Sequence, residues 1–284
     1  MRNSPLHHSL LSVTTIAASL ALNANAISVD GTLDAGYGSA AAVQTANTGF
    51  GSGTAAVGGN QLDAAYANVS GGNLNLFFAG NTSDGNYLDV FIADGRVGQS
   101  VLNVSGTATA NMNGSVFSPG FSGTYSLHLN TYQGTIYANL YDLVGNTGGY
   151  AGSAADAGGN IGGVQVAVNN SSAAGVGSNT GAGALGVTTG WEVSIPLSYL
   201  GSPTSLKVLA DINGNNDSYL SNQFLTGLPD GTGNVGGGGT YTGPASGAFN
   251  FGGTPGQYFT VTVPEPSTLA LLGLVGLLGL RRRK

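Results

Sequence analysis

The sequence predicts an all-β fold: an antiparallel two-sheet sandwich, jelly-roll-like, with long glycine-rich loops and a short apolar helix at each end. Three observations carry this. Apolar residues alternate with a period of two through many short runs. Fifty of the 284 residues are glycine, while only 7% are charged and 41% are hydrophobic. Helical periodicity is nearly absent from the body of the chain. A chain that apolar is no charged disordered polymer, and glycine among Asn, Ser and Thr suits turns between strands.

Taken in order, 63–69 and 73–80 read as two strands joined across Ser70, Gly71 and Gly72. Asp84-Gly85-Asn86 turns into 87–94, where Leu88, Val90 and Ile92 share a face before Asp94-Gly95. Asn and Asp tolerate left-handed backbone and glycine has no Cβ to clash, so such pairs make tight turns. The run 125–132 alternates Tyr125, Leu127 and Leu129 against Ser126, His128 and Asn130, and 135–143 follows across Gln133-Gly134. Later strands are 164–168, 191–195 ending at Pro196, 206–212 and 258–263. The stretches 36–59, 145–163, 171–186 and 231–247 read as loops. Many short strands without intervening helices give two packed antiparallel sheets.

The two ends differ from this body. Residues 1–26 read as a secretory signal peptide: Arg2, an apolar section at 10–22, and a small-x-small cleavage site at Ala24 and Ala26. The exported domain is then 27–263, long enough for one sizeable sandwich. At the other end, 264–284 opens with Pro264, Glu265 and Pro266, continues through an apolar run from Leu269 to Leu280, and closes with Arg281, Arg282, Arg283 and Lys284. Twelve apolar residues make a helix roughly 18 Å long, against about 30 Å of bilayer core. The prolines stop the helix growing upstream. The basic cluster would stay cytoplasmic, leaving the domain outside. The segment is expected to insert in the membrane transiently, as something handled there rather than as a permanent anchor.

The Pro-Glu-Pro triplet, the glycine-studded apolar segment and the basic end resemble the PEP-CTERM sorting signal of Gram-negative bacteria. That resemblance implies export, brief membrane residence, processing near Pro264-Glu265-Pro266 by an exosortase (a membrane cysteine protease), and an association with the cell surface or extracellular polysaccharide; signal peptidase is the partner expected at the N-terminal cleavage site. A second resemblance spans the body. Asp30-Gly31-Thr32-Leu33-Asp34, the strands 73–78 and 87–92, and Trp191-Glu192-Val193-Ser194-Ile195-Pro196-Leu197 are similar in order to carbohydrate-binding module family 9 and DOMON-type sandwiches. It implies the same two-sheet fold. Trp191, the single tryptophan, is expected in the core.

Charge excludes one partner class. Without the two ends, Arg96 and Lys207 stand against thirteen acids, Glu265 included. Such a surface repels nucleic acid and anionic lipid. There is no cysteine, so neither disulfides nor thiolate metal sites can form, and stability rests on packing, backbone hydrogen bonds or a bound cation.

Candidate chemistry is sparse. His128 is the one histidine of the exported domain, so a Ser–His–Asp arrangement would have to use it; on the polar side of its strand it is expected to face solvent. Glu192, opposite the Trp191 face, is likewise expected to point outward, and no carboxylate pair stands out for glycoside hydrolysis. Asp211, Asn213, Asn215 and Asp217 offer oxygens at alternate positions directly after a strand, as calcium requires; the same pattern also makes a metal-free Asn/Asp turn. Tyr137 and Tyr141 share a strand face and could stack on sugar rings or pack across strands. The leading expectation is a non-enzymatic surface domain that interacts with exopolysaccharide. The alternatives are a structural or adhesive protein without a sugar site, and a divergent carbohydrate-active hydrolase.

Overall fold

A computed structural model describes residues 26–50, 59–105, 109–172, 175–176, 181–236 and 239–264. Its strands, in chain order, are β1 (Ala42–Val43), β2 (Gln61–Ser70), β3 (Asn73–Asn81), β4 (Tyr87–Ala93), β5 (Tyr125–Tyr132) and β6 (Thr135–Asp142). There follow β7 (Thr147–Ala155), β8 (Gly159–Ile161), β9 (Val164–Val168), β10 (Gly190–Pro196), β11 (Ser205–Asn213), β12 (Leu220–Leu225) and β13 (Phe259–Thr262). They form two antiparallel sheets. One has the order β1-β2-β3-β10-β9-β8; the other runs β12-β11-β4-β5-β6-β7, with β13 also paired to β11. The expected terminal helices and signal peptide lie outside the described residues. Among the described residues, no helix is long and apolar enough to cross a membrane.

Local sequence explains the hairpins. β2 and β3 meet at the pair Ser70–Asn73, leaving a two-residue turn. Both its residues, Gly71 and Gly72, have positive φ (59° and 80°), the conformation whose twist matches the flanking strands. The alternating residues then fill the space between the sheets. Leu74, Leu76, Phe78, Trp191, Val193 and Ile195 from one sheet meet Leu88, Val90, Ile92, Leu127, Leu129, Val208 and Ile212 from the other. Each such side chain contributes about 1.5–3 kcal/mol of burial free energy. Trp191 is 1% exposed and its Nε1 donates to Thr82 Oγ1 at 2.8 Å, so it belongs to this core as expected.

Where the sequence suggested one long loop over 145–163, the structure has β7 and β8. β7 reads Thr-Gly-Gly-Tyr-Ala-Gly-Ser-Ala-Ala, mostly exposed at the sheet edge. It has no bulky alternation to announce it, and the β6 ladder supplies its pairing. β1 lies inside the predicted loop 36–59, and β12 was not anticipated.

The outer faces of both sheets are also covered. On the second sheet, Phe91, Tyr141, Leu209 and Phe224 pack under Leu102, Met112, Phe117, Phe121, Val235, Phe249 and Phe251. On the first sheet, Tyr66, Phe77 and Ala79 lie beneath Tyr37 and Val187. Polar side chains on those faces are therefore enclosed rather than solvated. This is the feature that positions the site.

Candidate metal centre

Three neighbouring strands place three ionisable residues in one row. In the β11–β4 ladder Asp211 stands opposite Asp89, and in the β4–β5 ladder Asp89 stands opposite His128. Antiparallel partners share a face, and here it is the covered outer face of the second sheet. All three side chains have no solvent-exposed surface.

A fourth member comes from the turn after β11. Residues Asn215–Asp217 form a single 3₁₀ turn in which Asn216 and Asp217 adopt left-handed backbone (φ 55° and 51°). The turn carries Asp217 back over the sheet, where it is fully buried. Gly247 braces it from above: a Cβ there would lie 1.6 Å from the Asp217 carbonyl oxygen, so only glycine fits. Asn111 Nδ2 donates to the Asn216 carbonyl at 2.8 Å.

His128 Nδ1 lies 2.7 Å from Asp89 Oδ1 and 3.6 Å from Asp217 Oδ2, while its Nε2 lies 3.2 Å from Ser126 Oγ. Edge-on contacts with Phe91 and Tyr141, both at 5.6 Å, hold the ring. Suitable ligand atoms of Asp89, His128 and Asp217 lie within 4.8 Å of one another. Yet neither oxygen of Asp211, neither oxygen of Asp217 and not Asp89 Oδ2 has a hydrogen-bond donor. The only hydrogen able to bridge Asp89 to either neighbour is a carboxyl proton. Burial, and then the Asp89 charge, push Asp211 well above the usual carboxylate range; burial, Asp89 and Asp211 do the same to Asp217. Burial, with Asp217 and Asp89 beside it, raises Tyr87 to about 12. Ser126, His128 and Asp89 have the connectivity of a Ser–His–Asp triad, but the Ser126 hydroxyl is fully enclosed. The arrangement can collect positive charge; it presents no nucleophile to solvent.

Residues 262–284 match the PEP-CTERM protein-sorting motif. The chain carries a PEP-CTERM sorting signal. That signal implies exosortase processing and export to the cell surface. The PEP-CTERM match begins at Thr262, the last residue of β13, so the signal leaves the sandwich directly. No curated protein and no solved structure matches the chain. The likeness of the body to carbohydrate-binding module family 9 and DOMON sandwiches finds no support in these comparisons.

Of the expected calcium ligands, Asp217 joins Asp89 and His128 and Asp211 stands beside Asp89, while Asn213 and Asn215 take no part. Asn213 spends its side chain on the loop: Oδ1 accepts from Gly214 N and Tyr219 N, and Nδ2 donates to Gly247 O. Asn215 is exposed. The left-handed turn folds the loop flat against the sheet instead of wrapping it around one centre. His128, expected at the surface, is enclosed, because the segment carrying Met112 and Phe117 closes over β5. Glu192 is also buried: Oε2 accepts from Asp30 N (2.9 Å) and Gly31 N (3.0 Å), and Oε1 from Tyr37 OH (2.8 Å). Burial raises its carboxyl against the pull of those bonds. Tyr141 is 2% exposed and its hydroxyl bonds Thr109 Oγ1, so it cannot stack on a sugar; Tyr137 is half-buried. Among the sorting residues, Ala26 and Pro264 are exposed; Ala24, Glu265, Pro266, Arg281, Arg282 and Arg283 lie outside the described residues.

Proposed function

We propose that the protein is a non-catalytic β-sandwich displayed at the cell surface or in the extracellular matrix, where it interacts with exopolysaccharide. The observation that carries this reading is the sorting signal joined directly to the last strand of the sandwich. Additional support comes from the outer face of the β5–β6–β7 edge. Tyr137 is joined there by Tyr132 (53% exposed) and Tyr150 (65% exposed), with Tyr150 opposite Asn139 in the ladder and so on the Tyr137 face. Tyrosine rings offer flat contact area to sugars at low entropic cost. The acidic surface favours a neutral glycan.

Two measurements test this. Mass spectrometry of the protein from outer surface and medium should show loss of both ends, with the C-terminal segment retained when the exosortase is deleted. The native exopolysaccharide should pull the protein down, and Tyr150→Ala with Tyr132→Ala should weaken capture at least tenfold. Full-length protein in the cytosol would defeat the export reading. Unchanged capture by the double variant, or none by the native chain, would defeat the sugar reading and favour a structural or adhesive role.

A further inference from the structure

We infer that Asp89, His128 and Asp217, with Asp211 beside them, bind one divalent first-row metal ion, of the zinc or manganese type, which ties the outer layer to the second sheet. The inference goes beyond surface display and does not depend on a sugar site. It rests first on charge. Three enclosed carboxylates share a site with one imidazole, and the described residues contain just two cationic side chains, Arg96 and Lys207. Arg96 is paired to Asp94, and Lys207 donates to Gly120 O and lies 4.9 Å from the Tyr258 ring centre. Neither is available to the cluster. Burying unpaired carboxylates costs several kcal/mol each, so this grouping is offset either by carboxyl protons or by a bound cation.

The second support is the orphaned oxygens. Five buried carboxylate atoms of Asp89, Asp211 and Asp217 have no donor, whereas Glu192, buried to the same degree, has three. Buried polar groups are as a rule hydrogen-bonded, and a cluster of unpaired ones is a place where an ion or an ordered water fits. A metal with ligands at about 2.0–2.2 Å holds donor atoms roughly 3 Å apart, the range of the 2.7 and 3.6 Å separations around His128 Nδ1. A carboxylate oxygen each of Asp89 and Asp217, with His128 Nδ1, then supplies three donors, and Asp211 stands beside Asp89 in the next strand as an outer carboxylate. Ser126 Oγ accepts the Nε2 proton and fixes the ring, as second-shell partners of metal-bound imidazoles do. An imidazole among the donors favours a first-row transition ion over calcium, which takes oxygen alone.

The full-length chain, in mild detergent, is unfolded in guanidinium with EDTA and refolded with zinc, manganese, calcium or no ion. Metal per chain after desalting and Tm are then measured. One zinc or manganese per chain is expected, with Tm raised by on the order of 10 °C. Asp217→Asn, which keeps the shape of a candidate ligand, should retain less than a tenth of that metal. Asp63→Asn, a buried aspartate on a strand of the other sheet, should retain metal as the native chain does. Retention of no ion with an unchanged Tm would overturn the site. So would equal retention by Asp217→Asn, and calcium binding alone would overturn the choice of ion.

Discussion

Glu192 Oε2 accepts the backbone N–H of both Asp30 and Gly31, joining β10, one of the two central strands of its sheet, to the first described segment of the chain, with Gly31 161 residues away. The third bond, from Tyr37 OH, closes the clasp over Phe77. Replacing Glu192 by alanine leaves two buried amides and a buried hydroxyl unpaired, at about 1–3 kcal/mol each. Glu192→Ala should therefore lower stability by about 3 kcal/mol or more. Limited proteolysis should cut the chain between residues 27 and 40 while β10 stays protected from hydrogen exchange. Equal protection of that segment in both proteins would show that the clasp is not what holds it.

Asp63 should make stability fall as pH rises. Its Oδ1 accepts from Val176 N at 2.7 Å, its Oδ2 has no donor, and burial raises it to about 7. The folded chain thus keeps a proton that the unfolded chain releases near pH 4. Over the window from about 4 to 7 the folded state binds more protons, so unfolding free energy drops by up to about 1.4 kcal/mol per pH unit, then levels off. Asp63→Asn keeps an acceptor for Val176 and removes the charge. It should match the native chain near pH 4 and exceed it at pH 8. Denaturant titrations at several pH values give the difference; parallel curves for the two proteins would refute it.

Much of this fold is legible in the sequence. The alternation of Leu88, Val90 and Ile92, or of Leu127 and Leu129, assigns strands and their inner faces. The sites were less so, because alternation implies that the opposite face is wet. Here Phe117, Phe249 and Phe251, from stretches that look like loops, form a second core over that face. A signal did exist. β4 reads Tyr-Leu-Asp-Val-Phe-Ile-Ala, apolar on both faces apart from Asp89, and a strand of that kind is buried on both sides. Asp211 stands in a similar setting behind Val208, Leu209 and Ala210. What could not be read was register: that Asp211 and His128 flank Asp89 depends on pairing strands up to about 120 residues apart. The Asn213 and Asn215 spacing looked like a cation loop for the opposite reason, since local sequence shows the oxygens but not the left-handed turn that scatters them.

Trp191 is a built-in reporter of the main core, being the single tryptophan and 1% exposed. Its emission should be blue-shifted and resist acrylamide until the cooperative transition. Trp191→Phe removes ring volume against Phe78, its ladder partner, and strands the Thr82 hydroxyl that Nε1 meets. A loss of about 2 kcal/mol is expected. Easy quenching in the native state would place the ring at the surface instead.

Gly247 gives a test of the cluster that leaves every candidate ligand in place. A methyl group at this position would overlap the Asp217 carbonyl oxygen, 1.6 Å away, so the Asn215–Asp217 turn must move outward in Gly247→Ala. The Asn213 Nδ2 bond to Gly247 O, 2.8 Å long, moves with it. The main core lies on the other face of the sheet and should hold, so Trp191 emission stays native. Two consequences follow from the displacement alone: Tm falls by several degrees, and Asp217 Oδ2 draws away from His128 Nδ1. If an ion bridges them, metal retained per chain falls as well, at least tenfold, and added zinc or manganese no longer restores Tm. If the carboxylates are held merely by shared protons, the Tm loss is the same whether or not the ion is supplied. Comparing native and Gly247→Ala chains with and without the ion therefore separates a cation-linked turn from a packed one.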